Sequence, residues 1–113
     1  MARIEGYAFG RVVVDGEEHR KDVIVLPRRV VSNWWRTEGH SLDVDDLADV
    51  MEELPENLVV GTGADGRMRP RQEALTALEE RGVQVEVLTT ERAVRRYAEL
   101  DPERAAAALH LTC

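Results

Sequence analysis

The sequence predicts an α/β fold, a β-hairpin joined to a small β–α–β–α unit. Its first third is dense in aromatic and β-branched residues and carries Asp15-Gly16, a strong two-residue hairpin turn. The second half alternates short apolar runs, at 58–61 and 83–88, with segments of helical period. That order implies parallel strand pairing through crossovers. A chain of 113 residues fits one domain, 1–113, with room for a core that needs no staples.

Tyr7-Ala8-Phe9-Gly10-Arg11-Val12-Val13-Val14 forms the outgoing hairpin strand. The return strand is expected from about His19 to Leu26, with Val23-Ile24-Val25-Leu26 buried on both faces and Pro27 as its stop. Val30-Val31 and Trp34-Trp35 predict a short extended piece before a turn at Gly39. Leu42-Asp43 then leads into a helix in which Val44, Leu47, Val50, Met51 and Leu54 make one apolar stripe. Asp43, Asp45 and Asp46 suit its positive end, and Pro55 closes it.

Leu58 to Gly61 reads as a short buried strand that opens into Gly61-Thr62-Gly63-Ala64-Asp65-Gly66. Pro70 is expected in the first turn of a second helix, with Leu75 and Leu78 inward and Gly82 as its stop. Val83-Gln84-Val85-Glu86-Val87-Leu88 alternates apolar and polar, as a strand does. Thr89 or Thr90 caps a third helix with Ala93, Val94, Tyr97 and Leu100 on one face. After Asp101-Pro102, the run Ala105-Ala106-Ala107-Ala108-Leu109 favours helix by propensity, although 110–113 has strand character.

Charge and cysteine usage exclude several function classes. A net charge of -7 argues against a nucleic-acid or anionic-membrane partner, which needs clustered positive potential. The single thiol, Cys113, fits a reducing compartment. With no leader-like start and no apolar run of membrane-spanning length, the expected location is the cytoplasm.

The glycine loop is the first candidate site. Glycine lets backbone N–H groups approach a ligand, and open α/β sheets bind at strand ends. Thr62 adds a hydroxyl, and Arg67, Arg69 and Arg71 lie just beyond for an anion. The loop lacks the Lys-Ser/Thr of a P-loop and the spacing of a dinucleotide fingerprint, so no cofactor is implied. The same glycines also suit a plain turn out of the sheet. His40 fits an anion contact, a general base, or a ring satisfying backbone at a helix start. Trp34 and Trp35 point to opposite faces, so one is core and the other walls a pocket or an interface.

His110 and Cys113 are the wrong distance apart for one strand face, and a carboxylate on the last residue disfavours its thiolate. His19, His40, His110 and Cys113 have no paired metal-ligand spacing, so no metal is expected. Glu52-Glu53 and Glu79-Glu80 read as solvated helix faces.

Several of these pieces together resemble a known family of small domains. They are Tyr7-x-Phe9-Gly10, Asp22-Val23 with Pro27, and Trp35-Arg36-x-Glu38-Gly39-His40, followed by Leu58-Val59-Val60-Gly61-x-Gly63. Thr90-Glu91-x-Ala93-Val94-x-x-Tyr97 and His110-x-Thr112-Cys113 complete a series that runs nearly end to end. The family is the one shared by the adipogenesis-associated domain protein and mitochondrial complex I assembly factor 3, with many microbial members of unknown function. This chain departs from it at Ala98, where members often carry Asn after the tyrosine, and at Asp101-Pro102.

The resemblance implies a three-layer domain around a mixed sheet, with the Ala-rich segment as a final central strand antiparallel to its neighbours. It supplies no reaction. The expectation is therefore a non-catalytic, assembly-type interaction module, monomeric or weakly self-associating, with a protein partner and no enzyme activity. The alternative is a small-molecule binder, of an anion for instance, or a minor enzyme at the Gly61-Thr62-Gly63 strand end. The residues assigned to ligand binding are Gly61, Thr62, Gly63, Trp35, His40 and His110.

Overall fold

The last strand organises the molecule. A computed structural model describes residues 3–113. In it β10 (Ala105–Leu109) lies at the centre of a five-stranded sheet ordered β5-β4-β10-β7-β9. Its neighbours are β4 (Val23–Val25) and β7 (Asn57–Gly61), with β5 (Val30–Val31) and β9 (Gln84–Leu88) at the edges. The implied antiparallel pairing holds toward β4, where Ala108 lies opposite Ile24. Toward β7 the pairing is parallel, with Ala107 opposite Val59, so the sheet is mixed.

Helix propensity fails for β10 because every residue in it is buried. A strand at the centre of three layers must bury both faces, whereas a surface helix buries one stripe. Ala106 and Ala108 join one core with Ile24, Leu47, Leu58 and Leu78. Ala105, Ala107 and Leu109 join the other with Val12, Val25, Val59 and Tyr97. Small side chains on both faces let the flanking layers close down on the strand, and packing overrides propensity.

The first layer is formed by α1 (Gln72–Glu80) with the segment 43–54. The opposite layer holds α2 (Thr90–Ala98) and a three-stranded antiparallel sheet of β1 (Ile4–Ala8), β2 (Arg11–Val14) and β3 (Glu17–His19). Asp15 and Gly16 both take positive φ, 51° and 82°, as a tight hairpin turn requires. Gly82, at φ 83°, stops α1 as its position predicts.

Four expectations need correction. The outgoing strand over 7–14 is two antiparallel strands, β1 and β2, turned at Phe9-Gly10, where Gly10 takes φ 78°. The return strand over 19–26 is two strands, since β3 stays with the hairpin and β4 crosses into the central sheet. The helix expected over 44–54 is a pair of 3-10 turns, Val44–Leu47 and Met51–Glu53, held by bonds such as Ala48 N–H to Asp45 O. Only Leu47 and Val50 there are fully buried, and Asp46 turns back to accept from the Asp43 N–H, so side-chain capping competes with the α ladder. Pro70 precedes α1 as part of β8 (Arg69–Pro70), which pairs in parallel with β6 (Ser41–Leu42). Arg69 and Arg71 donate to His40 O and Leu42 O there, and the missing N–H of Pro70 falls between them.

Candidate functional site

The C-terminal ends of β7, β9 and β10 meet at one end of the sheet. The glycine loop after β7 is closed by the chain's own backbone. Thr62 donates through both its N–H and its hydroxyl to Leu88 O. The Gly63 N–H donates to Thr90 Oγ1, and the Thr90 hydroxyl donates to His110 O. Ala64 and Arg67 donate to the carbonyls of Thr112 and Cys113, at 2.6 and 2.9 Å. Gly63 has φ +104°, and a Cβ placed there would stand 2.1 Å from the Cys113 carbonyl carbon. A Cβ on Gly61 would meet Thr90 Oγ1 at 2.9 Å. Both glycines are needed for close approach inside the protein. The N–H groups of 62–64, 66 and 67 are satisfied internally.

Beside the loop lies a buried polar cluster. Asp22, just before β4, accepts the Leu111 N–H on Oδ1 and contacts His110 Nδ1 through Oδ2, each at 2.8 Å. Arg36 Nη1 forms an ion pair with the same Oδ2 at 2.8 Å. Its Nη2 donates to Gly39 O at 2.9 Å and lies 2.9 Å from His110 Nδ1. Arg36 is 6% exposed and His110 7%. Burial alone would raise the Asp22 pKa. The hydrogen bonds from His110 and Leu111 and the Arg36 charge outweigh it, so the carboxyl is held below its ordinary value. The guanidinium also sits 4.8 Å over the ring of Trp34, whose indole N–H donates to Asp46 O.

This cluster keeps unused capacity. Arg36 Nε and His110 Nε2 are buried without a hydrogen-bond partner, and Arg36 Nη1, though paired in charge, lies off the hydrogen-bond line. An unsatisfied buried polar group costs about 1–3 kcal/mol. The cluster lies against an open groove of about 660 Å³, whose wall includes Arg20, Lys21, Trp35, Arg36 and His110.

The two tryptophans split as their spacing requires. Trp34 is 7% exposed and in the core, whereas Trp35 is 77% exposed at the groove. His40 is exposed, with its ring 6.2 Å from that of His110 in an edge-on contact. Phe9, 62% exposed, occupies the β1–β2 turn, which the Gly10 N–H ties to Leu111 O. Tyr7 donates its hydroxyl to the same carbonyl, and burial is the main cause that raises its pKa.

Of the six residues assigned from sequence, Trp35 and His110 line the groove, while His40 reaches it only through the His110 ring. Gly61, Thr62 and Gly63 lie within the same sheet end, behind His110. Asp22 and Arg36 were quoted only as parts of a family pattern, yet they hold the cluster together. An Asp before a wholly buried strand and an Arg after two tryptophans were the available signals. No hydrogen bond joins Cys113 to His110 among the described residues. Among the described residues no helix is long and apolar enough to cross a membrane.

The chain matches, over residues 4–111, the family described as a protein of unknown function, DUF498/DUF598. A conserved hypothetical protein from Pyrococcus horikoshii is 28% identical with a TM-score of 0.82, covering 98% of this chain and 99% of that one. A protein from Rhodopseudomonas palustris is 31% identical with a TM-score of 0.71, covering 95% and 81%. A Bordetella pertussis protein described as an Mth938-like domain has the same fold at 23% identity and a TM-score of 0.64, covering 96% and 85%. The chain belongs to the DUF498/DUF598 family.

Proposed function

We propose that this chain is a non-catalytic interaction module that engages a partner protein through the Trp35 end of its sheet. The observation that carries the reading is Trp35 itself, 77% exposed while its neighbour Trp34 is buried. Tryptophan contributes strongly to interfaces when rigidly presented. The loop that presents it is fixed on both sides, by Trp34 in the core and by the buried Arg36. Phe9 adds a second exposed aromatic near the same sheet end. Arg20 and Lys21 at the groove favour a partner surface with an apolar socket rimmed by carboxylates. The single cysteine favours a reducing, cytoplasmic setting.

The test compares wild type, Trp35→Ala and Glu80→Ala, each purified from the native cells with its bound proteins quantified. Wild type and Glu80→Ala are expected to retain the same partner near stoichiometry, and Trp35→Ala to lose it. Equal recovery by Trp35→Ala, or no stoichiometric protein on any of the three, would overturn the reading.

A further inference from the structure

We infer that the groove against the Asp22–Arg36–His110 cluster is a subsite for the carboxylate of a small organic acid with a planar apolar body. This rests on the reading that the Trp35 end is the binding surface, and it adds the class of ligand.

The inference follows from counting donors and acceptors. Asp22 is the only carboxylate in the groove wall, and both of its oxygens are already in use. Arg36 gives Nη2 to Gly39 O and pairs Nη1 with Asp22, and its Nε has no acceptor. Arg20 is occupied by Glu18, while Lys21 has no ion pair among the described residues. The wall is therefore short of one acceptor group that carries negative charge.

A carboxylate accepts a charge-assisted hydrogen bond from Arg36 Nε, and Lys21 supplies a second positive charge at the same wall. Asp22 already offsets much of the Arg36 charge, and the whole chain carries -7, so a monoanion fits better than a phosphate dianion. Arg36 is part of the groove wall, and its Nε is the guanidinium donor left for the carboxylate. The exposed Trp35 indole on the same wall supplies a face for the apolar body of the ligand. A groove of about 660 Å³ falls within the usual range for small-molecule sites.

Proton–nitrogen NMR titrations of the full chain test this with 3-phenylpropanoate, its neutral amide, acetate, and the blocked dipeptide acetyl-Phe-Glu-amide. The phenylpropanoate is expected to shift the Arg36 Nε–H and Trp35 indole signals saturably, and to bind about tenfold or more tighter than the amide. Acetate should bind more weakly for lack of an apolar body. Lys21→Gln and Trp35→Ala, both surface changes that leave the core intact, should each weaken phenylpropanoate several-fold. Arg36→Gln should abolish binding, and because it is buried it is read only alongside those two. Equal binding of acid and amide, shifts confined to other surfaces, or no saturation by about 10 mM would overturn the inference. Tighter binding of the dipeptide would assign the carboxylate to a protein side chain and overturn the free-acid assignment. Failure of every acid while Trp35→Ala still loses its protein partner would sink the subsite and leave the interaction role standing.

Discussion

Two segments at the same end of the sheet, the glycine loop 61–67 and the Asp22–Arg36–His110 cluster, resolve their polar groups in opposite ways. In the loop, Ala64 and Arg67 spend their N–H groups on Thr112 and Cys113, and Thr62 and Gly63 spend theirs on Leu88 and Thr90. In the cluster, Arg36 and His110 are buried and still hold unpaired nitrogens. A loop rich in glycine advertises close approach, but it does not say whether a ligand or the chain itself does the approaching. Leftover hydrogen-bonding capacity is the better marker of a site.

The sharpest way to break this contrast is Gly63→Val. The new side chain would collide with Cys113 and require a branched residue at φ +104°. A loss of about 4 kcal/mol or more is expected in urea unfolding. Wild-type stability in that variant would show that the loop is open after all.

Asp22→Asn comes next, because it leaves the Arg36 charge buried without its counter-ion. A cost of about 3 kcal/mol is expected, the low end for a broken buried pair because Asp22 is partly exposed. The pH dependence carries a definite sign. The folded-state pKa of Asp22 lies below its unfolded value, so its contribution is present above the ordinary carboxylate pKa. It is lost as pH falls from there through the depressed folded value. Wild type should therefore lose stability relative to Asp22→Asn across that acidic window, and a constant difference between them at every pH would exclude the assigned role.

How much of this was legible follows from particular residues. The hairpin turn, the α1 stop at Gly82 and the strands at 57–61 and 84–88 depend on local chemistry, and local chemistry is printed in sequence. The central strand is not, because five residues of high helix propensity are overruled by layers packing on both sides. The segment 44–54 misled for the reverse reason, since its apolar spacing suits a helix while its aspartates prefer caps. Trp35, His40 and His110 could be nominated from their residue types. Their link to Asp22 and Arg36 could not, since His110 meets them across 88 and 74 residues of chain.

Two smaller effects sharpen the contrast. Thr62→Val removes the hydroxyl bond to Leu88 O and should cost about 1 kcal/mol of stability in thermal unfolding. Its affinity for groove ligands should stay at the wild-type value, and weakened binding would return the loop to the site. Trp35→Ala should leave stability within about 0.5 kcal/mol, as expected for an exposed side chain. A larger loss in calorimetry would make Trp35 a structural residue.

The placement of β10 also bears on the order in which the protein can assemble during synthesis. β4 and β7, separated by more than thirty residues, are not paired with each other and are linked within the sheet through residues 105–109. Until that stretch leaves the ribosome, the two halves of the sheet present open edges with no strand pairing between them. The nascent chain must carry both edges exposed until residues 105–109 are made, then close them in one step. This predicts a dependence on chaperones that a domain whose central strand precedes its neighbours in sequence would not have.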